Sequence, residues 1–303
     1  MPLLFASPVR SEDESIRIGY LPMVSSLTHF VATDQKYYER EGVKVNAGRI
    51  ATSNLIAQEL VVGHIDVAIE LSIVPLLRLL ESKPEAAKLF SLSSITAENG
   101  FDAVLVKTSS PARQLCDLGG KRIGVFPGTT ARRSLARLFE QRCAAKPAAT
   151  YGELEPSLQL PALINGDIDA LHSYEPTVSL ALARDDVRRL HTSVYAAQYT
   201  PNPIGVAATN SAFMRKHPAA ASKVLRALDS AVVFIRDNPE QARKILANAT
   251  RVDPTIAASM NLMPMSLVSE ADAANLQGYL DLLAEMKETG KQHRARDLLI
   301  QRR

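Results

Sequence analysis

A chain of 303 residues exceeds what one hydrophobic core usually serves, and its 46% hydrophobic and 22% charged content is that of a folded globular protein, so disorder is excluded and two domains or lobes are predicted. Its 35 basic and 32 acidic residues leave a formal charge of +3 with no basic stripe, which argues against a nucleic-acid partner. Trp is absent and aromatic residues make up only 5%, and no uncharged apolar run approaches the length of a membrane-spanning segment.

Ile16 to Tyr20 reads as a strand and Pro22 to Ser26 as the loop after it. Leu27, Phe30, Val31, Tyr37 and Tyr38 then predict a helix that ends near Gly42. A strand follows from Val43 to Ile50, then a helix that starts at Thr52-Ser53-Asn54 and stops at Gly63. Ile65 to Leu71 is the next strand, Pro75 to Leu80 the next helix, and Ala103 to Val106 another strand. From Lys121 the pattern begins again: strand RIGVF, loop PGTT, a helix over 131–142, a strand near Ala149, a helix over 158–164 and a strand over 168–171. Val206 to Thr209 reads as a strand returning to the first lobe, and helices are predicted over 219–235, 239–247, 253–260 and 271–288. Repeated strand, loop and helix predict parallel sheets covered by helices, with ligands at the carboxyl ends of the strands. The expected lobes are 16–106 with the return at 206–303, and 107–205 between them.

Cys116 and Cys143 can pair, but two cysteines in a chain this long are more often free thiols, and neither sits in a metal-binding cluster. The opening MPLLFASPVRSEDES has no basic region ahead of its short apolar stretch, so no secretory signal is legible there.

The segment IRIGYLPMVSSLTHFVATDQKYYEREGVKV resembles the start of the substrate-binding proteins of bacterial ABC importers for nitrate, sulfonates, taurine and pyrimidine precursors, the NMT1/THI5-like family. GHIDVAIE at 63–70, DLGGKRIGVFPGTTA at 117–131 and NGDIDALHSYEPT at 165–177 extend the resemblance in the same order across nearly the whole chain. The resemblance implies an α/β protein of the type II periplasmic-binding-protein fold, with two lobes, each a mixed, mostly parallel sheet with flanking helices. It also implies a small polar metabolite bound between the lobes and an ABC permease and ATPase as partners, with no cofactor, no metal and no catalytic residue. Location would be periplasmic or lipid-anchored outside the cytoplasm if a signal has been removed, and cytoplasmic if this is the full native chain. Enzymes of pyrimidine and cofactor biosynthesis share this fold, so a cytoplasmic enzyme or sensor is the alternative. The cysteine-rich iron motif of the thiamine-pathway enzyme is missing here.

Candidate contacts follow from position. Gly128, Thr129 and Thr130 lie between a strand and a helix, where backbone N–H groups and hydroxyls can face a ligand or merely cap the helix. Thr52, Ser53 and Asn54 are the equivalent feature of the first lobe, with the same two readings. Tyr20, Met23, Ser25 and Ser26 belong to the first loop; His29 beside them reads as a buried or capping histidine. Glu70 ends the strand VAIE and Glu175 holds the comparable place after DALHSYEP, so two acids facing one cleft would favour a ligand carrying an amine, a protonated heteroaromatic ring or two hydroxyl donors over a pure anion. Tyr174 can stack on a flat ligand or pack in the core, Asn99 stands beside the first crossing, and Phe101 can form a wall.

Overall fold

The computed structural model of the protein describes residues 15–300, and the opening segment, where no secretory signal is legible, lies outside them. The first strand is β1 (Ile16–Tyr20), followed by α1 (Leu27–Asp34), α2 (Tyr37–Arg40) and β2 (Val45–Arg49). The single helix expected over 27–42 is broken because Lys36 adopts a left-handed φ of 57°, with neither Gly nor Pro nearby to mark the break. Next come α3 (Ser53–Val62), β3 (Val67–Ser72), α4 (Ile73–Leu80), β4 (Ala87–Leu92) and β5 (Asp102–Lys107). The middle of the chain forms β6 (Arg122–Val125), α5 (Thr129–Cys143), β7 (Thr150–Glu153), α6 (Pro156–Asn165), β8 (Ala170–Tyr174), α7 (Thr177–Leu182) and β9 (Val187–Thr192). The last part holds β10 (Gly205–Asn210), α8 (Ser211–Lys216), α9 (Pro218–Asp237), α10 (Pro239–Thr250), α11 (Pro254–Ser259), α12 (Ala273–Glu285) and α13 (Ala295–Leu298). The sequence pattern did not disclose β4, α7, β9, α8 or α13.

Two five-stranded sheets result, ordered β2-β1-β3-β10-β4 and β7-β6-β8-β5-β9. In each, the first three strands are parallel and the fourth runs antiparallel to both neighbours, so the sheets are mixed and have the same topology. The likeness extends to side chains. Asp66, just ahead of β3, accepts from the Arg17 backbone at 2.9 Å and from its guanidinium at 2.6 Å; Asp169, just ahead of β8, accepts from the Arg122 backbone at 2.9 Å and from its guanidinium at 3.2 Å. The two helices ahead of these aspartates also end alike, on Gly63 and Gly166 with φ of 83° and 84°. Together with their flanking helices the two sheets make the two-lobed α/β fold.

The expected boundary at 106 moves, because β5 pairs with β8 and β9 and the chain has crossed before Asp102. A short apolar run at 103–106 carries no mark of which sheet receives it. The crossings are therefore 93–101 and 193–204, and they touch each other: Ile95 and Asn202 exchange backbone hydrogen bonds of 2.8 and 3.1 Å. Asp102, fully buried at the start of β5, anchors the second crossing by accepting from the Ser193 hydroxyl and the Val194 N–H, both at 2.6 Å. The expectation of free thiols is also corrected. Cys116 and Cys143 form a disulfide, because the fold brings the 115–118 turn against the end of α5 with Cα atoms 5.1 Å apart.

Candidate functional site

The carboxyl ends of β1, β3, β6 and β8 and the N-termini of α3 and α5 converge on one cavity of about 90 Å³, lined from both sheets and from both crossings. That volume suits a small molecule rather than a drug-sized one. The first sheet supplies Met23 and Ser25 from the loop after β1, Ser53 and Asn54 from α3, and Glu70 and Ser72 from β3; the second supplies Gly128 and Thr130 from α5 and Tyr174 from β8.

Glu70 is the only Asp, Glu, Lys, Arg or His in that lining among the described residues. Its side chain is 3% exposed, its Oε2 has no hydrogen-bond partner, and burial holds its carboxyl well above the usual carboxylate range. Its backbone takes a left-handed φ of 50°, strained for a residue with a side chain. Room for the carboxyl comes from Gly205 on the neighbouring strand β10, since a Cβ there would fall on Glu70 Oε1. Ser25, 5% exposed, likewise leaves its Oγ without a partner.

The helix termini are partly occupied by the protein itself. Thr52 caps α3, its Oγ1 accepting from the Leu55 N–H at 3.2 Å, and so does not line the cavity. Ser53 Oγ accepts from the Ser72 N–H at 3.0 Å, and the Ser72 and Thr130 hydroxyls meet at 3.1 Å, joining the first sheet to α5. Gly128 has φ 105° and ψ 161°, a conformation that side-chain-bearing residues avoid, and its N–H donates to Glu153 Oε2 at 3.0 Å. Thr129 turns to a separate hollow beside Arg133 and Glu288.

Tyr174 belongs to an aromatic wall. Its hydroxyl meets that of Tyr195 at 2.6 Å and its ring lies stacked on Phe101, with Phe126 tilted against it at 5.4 Å. Phe126, Tyr195, Ser72 and Gly205 are lining residues that were not expected from the sequence. Ser72 ends β3, Gly205 opens β10, Phe126 follows β6 and Tyr195 sits in the second crossing, but nothing in their immediate sequence announces a cavity.

Several expected contacts are drawn into the protein instead. Glu175 is buried and accepts from the Ser179 N–H at 3.0 Å and the Ser179 hydroxyl at 2.9 Å, so it holds the first turn of α7 rather than the cavity. Burial pushes its carboxyl up, and the Ser179 bonds oppose that shift. Two acids therefore do not face one cleft. Asn99 spends its amide on its own turn, accepting from the Thr96 N–H and donating to the Ser94 carbonyl. Tyr20 packs on His29 with ring centroids 4.8 Å apart, and Ser26 is fully buried; neither lines the cavity. His29 bonds the Tyr38 hydroxyl at 3.0 Å, and burial pushes its pKa down to about 4, so it is a neutral core histidine. His172 is buried against Asp102 at 3.0 Å, behind the aromatic wall. Among the described residues no group of His, Cys, Asp and Glu is arranged to hold a metal, and no helix is long and apolar enough to cross a membrane.

The family model described as NMT1/THI5 like matches residues 25–242 of this chain. A putative aliphatic sulfonates-binding protein of Escherichia coli (strain K12) is 23% identical over 285 residues, covering 89% of this chain and 82% of that protein. A second, from Bacillus subtilis (strain 168), is 22% identical over 185 residues, covering 60% of this chain and little more than half, 55%, of the relative. The crystal structure of the periplasmic aliphatic sulphonate-binding protein of Escherichia coli superimposes with a TM-score of 0.75 at 21% identity, over 98% of this chain and 94% of that one, a likeness of fold.

Proposed function

The chain belongs to the NMT1/THI5-like family, and from that premise we propose that it captures a small polar solute reversibly between its two lobes and presents it to an ABC-type permease and ATPase. The observation that carries the reading is the cavity itself, lined from both sheets, with the buried Glu70 Oε2 left without a partner inside it. A buried polar atom without a hydrogen bond is costly, and a ligand donor removes that cost. The paired crossings 93–101 and 193–204 are the natural hinge, and contacts across the cavity become available only when the lobes meet.

The ligand in this reading carries an N–H donor, in an amine or a heteroaromatic ring, for Glu70, and an apolar part for the wall of Phe101, Phe126 and Tyr174. The location is outside the cytoplasm. Two observations support it: the structural relative is described as periplasmic, and the Cys116–Cys143 disulfide suits an oxidising compartment.

Native mass spectrometry of gently purified protein, followed by calorimetry with whatever small molecule is released, tests the reading. One unchanged molecule per chain and saturable binding without turnover are expected. A ligand converted to a new product would instead assign the cavity to a biosynthetic enzyme.

A further inference from the structure

Beside the cavity lies a second hollow of about 50 Å³, set between the start of α1, the end of α9 and the segment 263–265. Among the described residues, Ser25 and Met263 are the two that line both hollows, so these side chains stand between them. The second hollow is mainly apolar, with Leu27, Val232, Ile235 and Met265 around it. Its one charged group, Arg236, is spent on Glu270 at 2.6 Å and on the Met265 carbonyl at 2.9 Å. The backbone on either side of Met263 is held in place. The Met260 carbonyl accepts from Arg243 Nε at 3.0 Å and the Pro264 carbonyl from the Ser94 N–H at 3.0 Å. What separates the hollows is therefore a pair of side chains on a fixed backbone, and Met263, 8% exposed, supplies nearly all of their bulk.

We propose that Met263 is a specificity-determining residue: it closes the second hollow off from the cavity and so limits the captured solute to a short apolar tail. The inference rests on the solute-capture reading and deepens it by assigning what sets the length of the ligand's apolar part. A tail that fits the cavity gains affinity with each methylene it buries. A longer tail meets the Met263 side chain, and forcing extra volume into a packed site offsets what burial contributes. Truncating Met263 removes the partition, and Ser25 is too small to replace it. The space then runs on among Leu27, Val232 and Ile235, which can cover further methylenes as the cavity wall does. The limit acts on the tail alone and holds for a head group of either charge or none.

The test is calorimetry on the full chain with straight-chain primary amides from butanamide to octanamide. Their uncharged head offers N–H donors to Glu70 and a carbonyl to the N–H groups that start α3 and α5. Wild-type affinity is expected to rise with the first methylenes and then to level off. In Met263→Ala it is expected to go on rising, each further buried methylene contributing about fourfold, so that the octanamide-to-butanamide affinity ratio exceeds the wild type's by about tenfold or more. Adding Ile235→Phe narrows the second hollow from its far wall and is expected to return the ratio toward the wild-type value. Met263→Val, a smaller cut for the event that Met263→Ala folds poorly, should give an intermediate ratio. A ratio unchanged in both Met263 variants, or a gain that survives Ile235→Phe, overturns the assignment of Met263, while saturable binding of the amides still upholds capture. Amides that bind none of these proteins also overturn it; the capture reading then stands or falls separately, on whether native mass spectrometry finds one small molecule per chain.

Discussion

Arg133 of α5 and Glu288, just beyond α12, form an ion pair of 2.7 Å across the junction between the second sheet's helices and the C-terminal part of the chain. Glu288, whose side chain is 10% exposed, also receives Arg78 of α4 at 2.9 Å, so one carboxylate ties α4 and α5 together beside the cavity. The Ser72–Thr130 hydroxyl contact lies on the same seam. Glu288→Gln keeps the shape and removes the charge. Ligand release is expected to accelerate several-fold, with a smaller effect on association, because a contact made only when the lobes meet acts mainly on dissociation. Stopped-flow release of the natural ligand checks this, and an unchanged rate would show that the pair does not help hold the lobes together.

Gly205 and Glu70 share one space, so Gly205→Ala is expected to destabilise the fold by about 1–3 kcal/mol through overpacking. In a Glu70→Ala background the same change should cost much less, because the atom that the new Cβ meets is gone. Ser93 Oγ, 3.1 Å from that Cβ, leaves a residual cost. A double-mutant cycle in urea measures the coupling, and additive effects would refute the shared space.

Joining Cys116 to Cys143 closes a loop of 27 residues and restricts the unfolded chain. Replacing both by serine is expected to lower stability by about 3.5 kcal/mol in the chain-entropy account. Denaturation curves of the oxidised protein, the reduced protein and the double variant should place the last two together, well below the first.

The carboxyl of Glu70 is held above its ordinary value of 4.5 by burial, so the folded protein binds more protons there than the unfolded chain does. That difference makes its contribution to stability fall as pH rises from the unfolded value upward through the folded one. Glu70→Gln removes this part of the slope, while Glu175, raised by the same cause, retains its own. Melting temperatures across the acid to mildly alkaline range should show the variant gaining on the wild type as pH rises. Parallel curves would mean that Glu70 is not held protonated.

Much of the fold is legible because local chemistry announces it. Thr52 and Gly63 mark both ends of α3, Gly128 marks the head of α5, and the alternation of strand and helix gives the class of sheet. The aspartates Asp66 and Asp169 occupy matching places in GHIDVAIE and NGDIDALHSYE, so the likeness of the two lobes is visible in the letters as well as in the strands. The break at Lys36 and the strands β4 and β9 were not legible, since no residue of special backbone preference marks them.

The site was legible in outline only. Position at the end of a strand singled out Glu70 and Glu175 alike, and only the three-dimensional surroundings separate them. Glu70 finds an open space beside Gly205, whereas Glu175 finds Ser179 in the first turn of the helix that follows it. Asn99 and Thr52 carry the polar groups of ligand contacts and spend them on nearby backbone.

By itself, then, the sequence determined what short-range forces decide: the elements, most of their caps and the two-lobed class, because helix and strand periodicity and turn residues act within a few positions of one another. Only the tertiary structure decided which strand crosses to which sheet, that Cys116 meets Cys143, that Glu153 takes the Gly128 N–H and that Glu70 is left with an unpartnered oxygen. Each of these depends on the desolvation and close approach of groups far apart in the chain, and spacing along the chain does not encode that proximity.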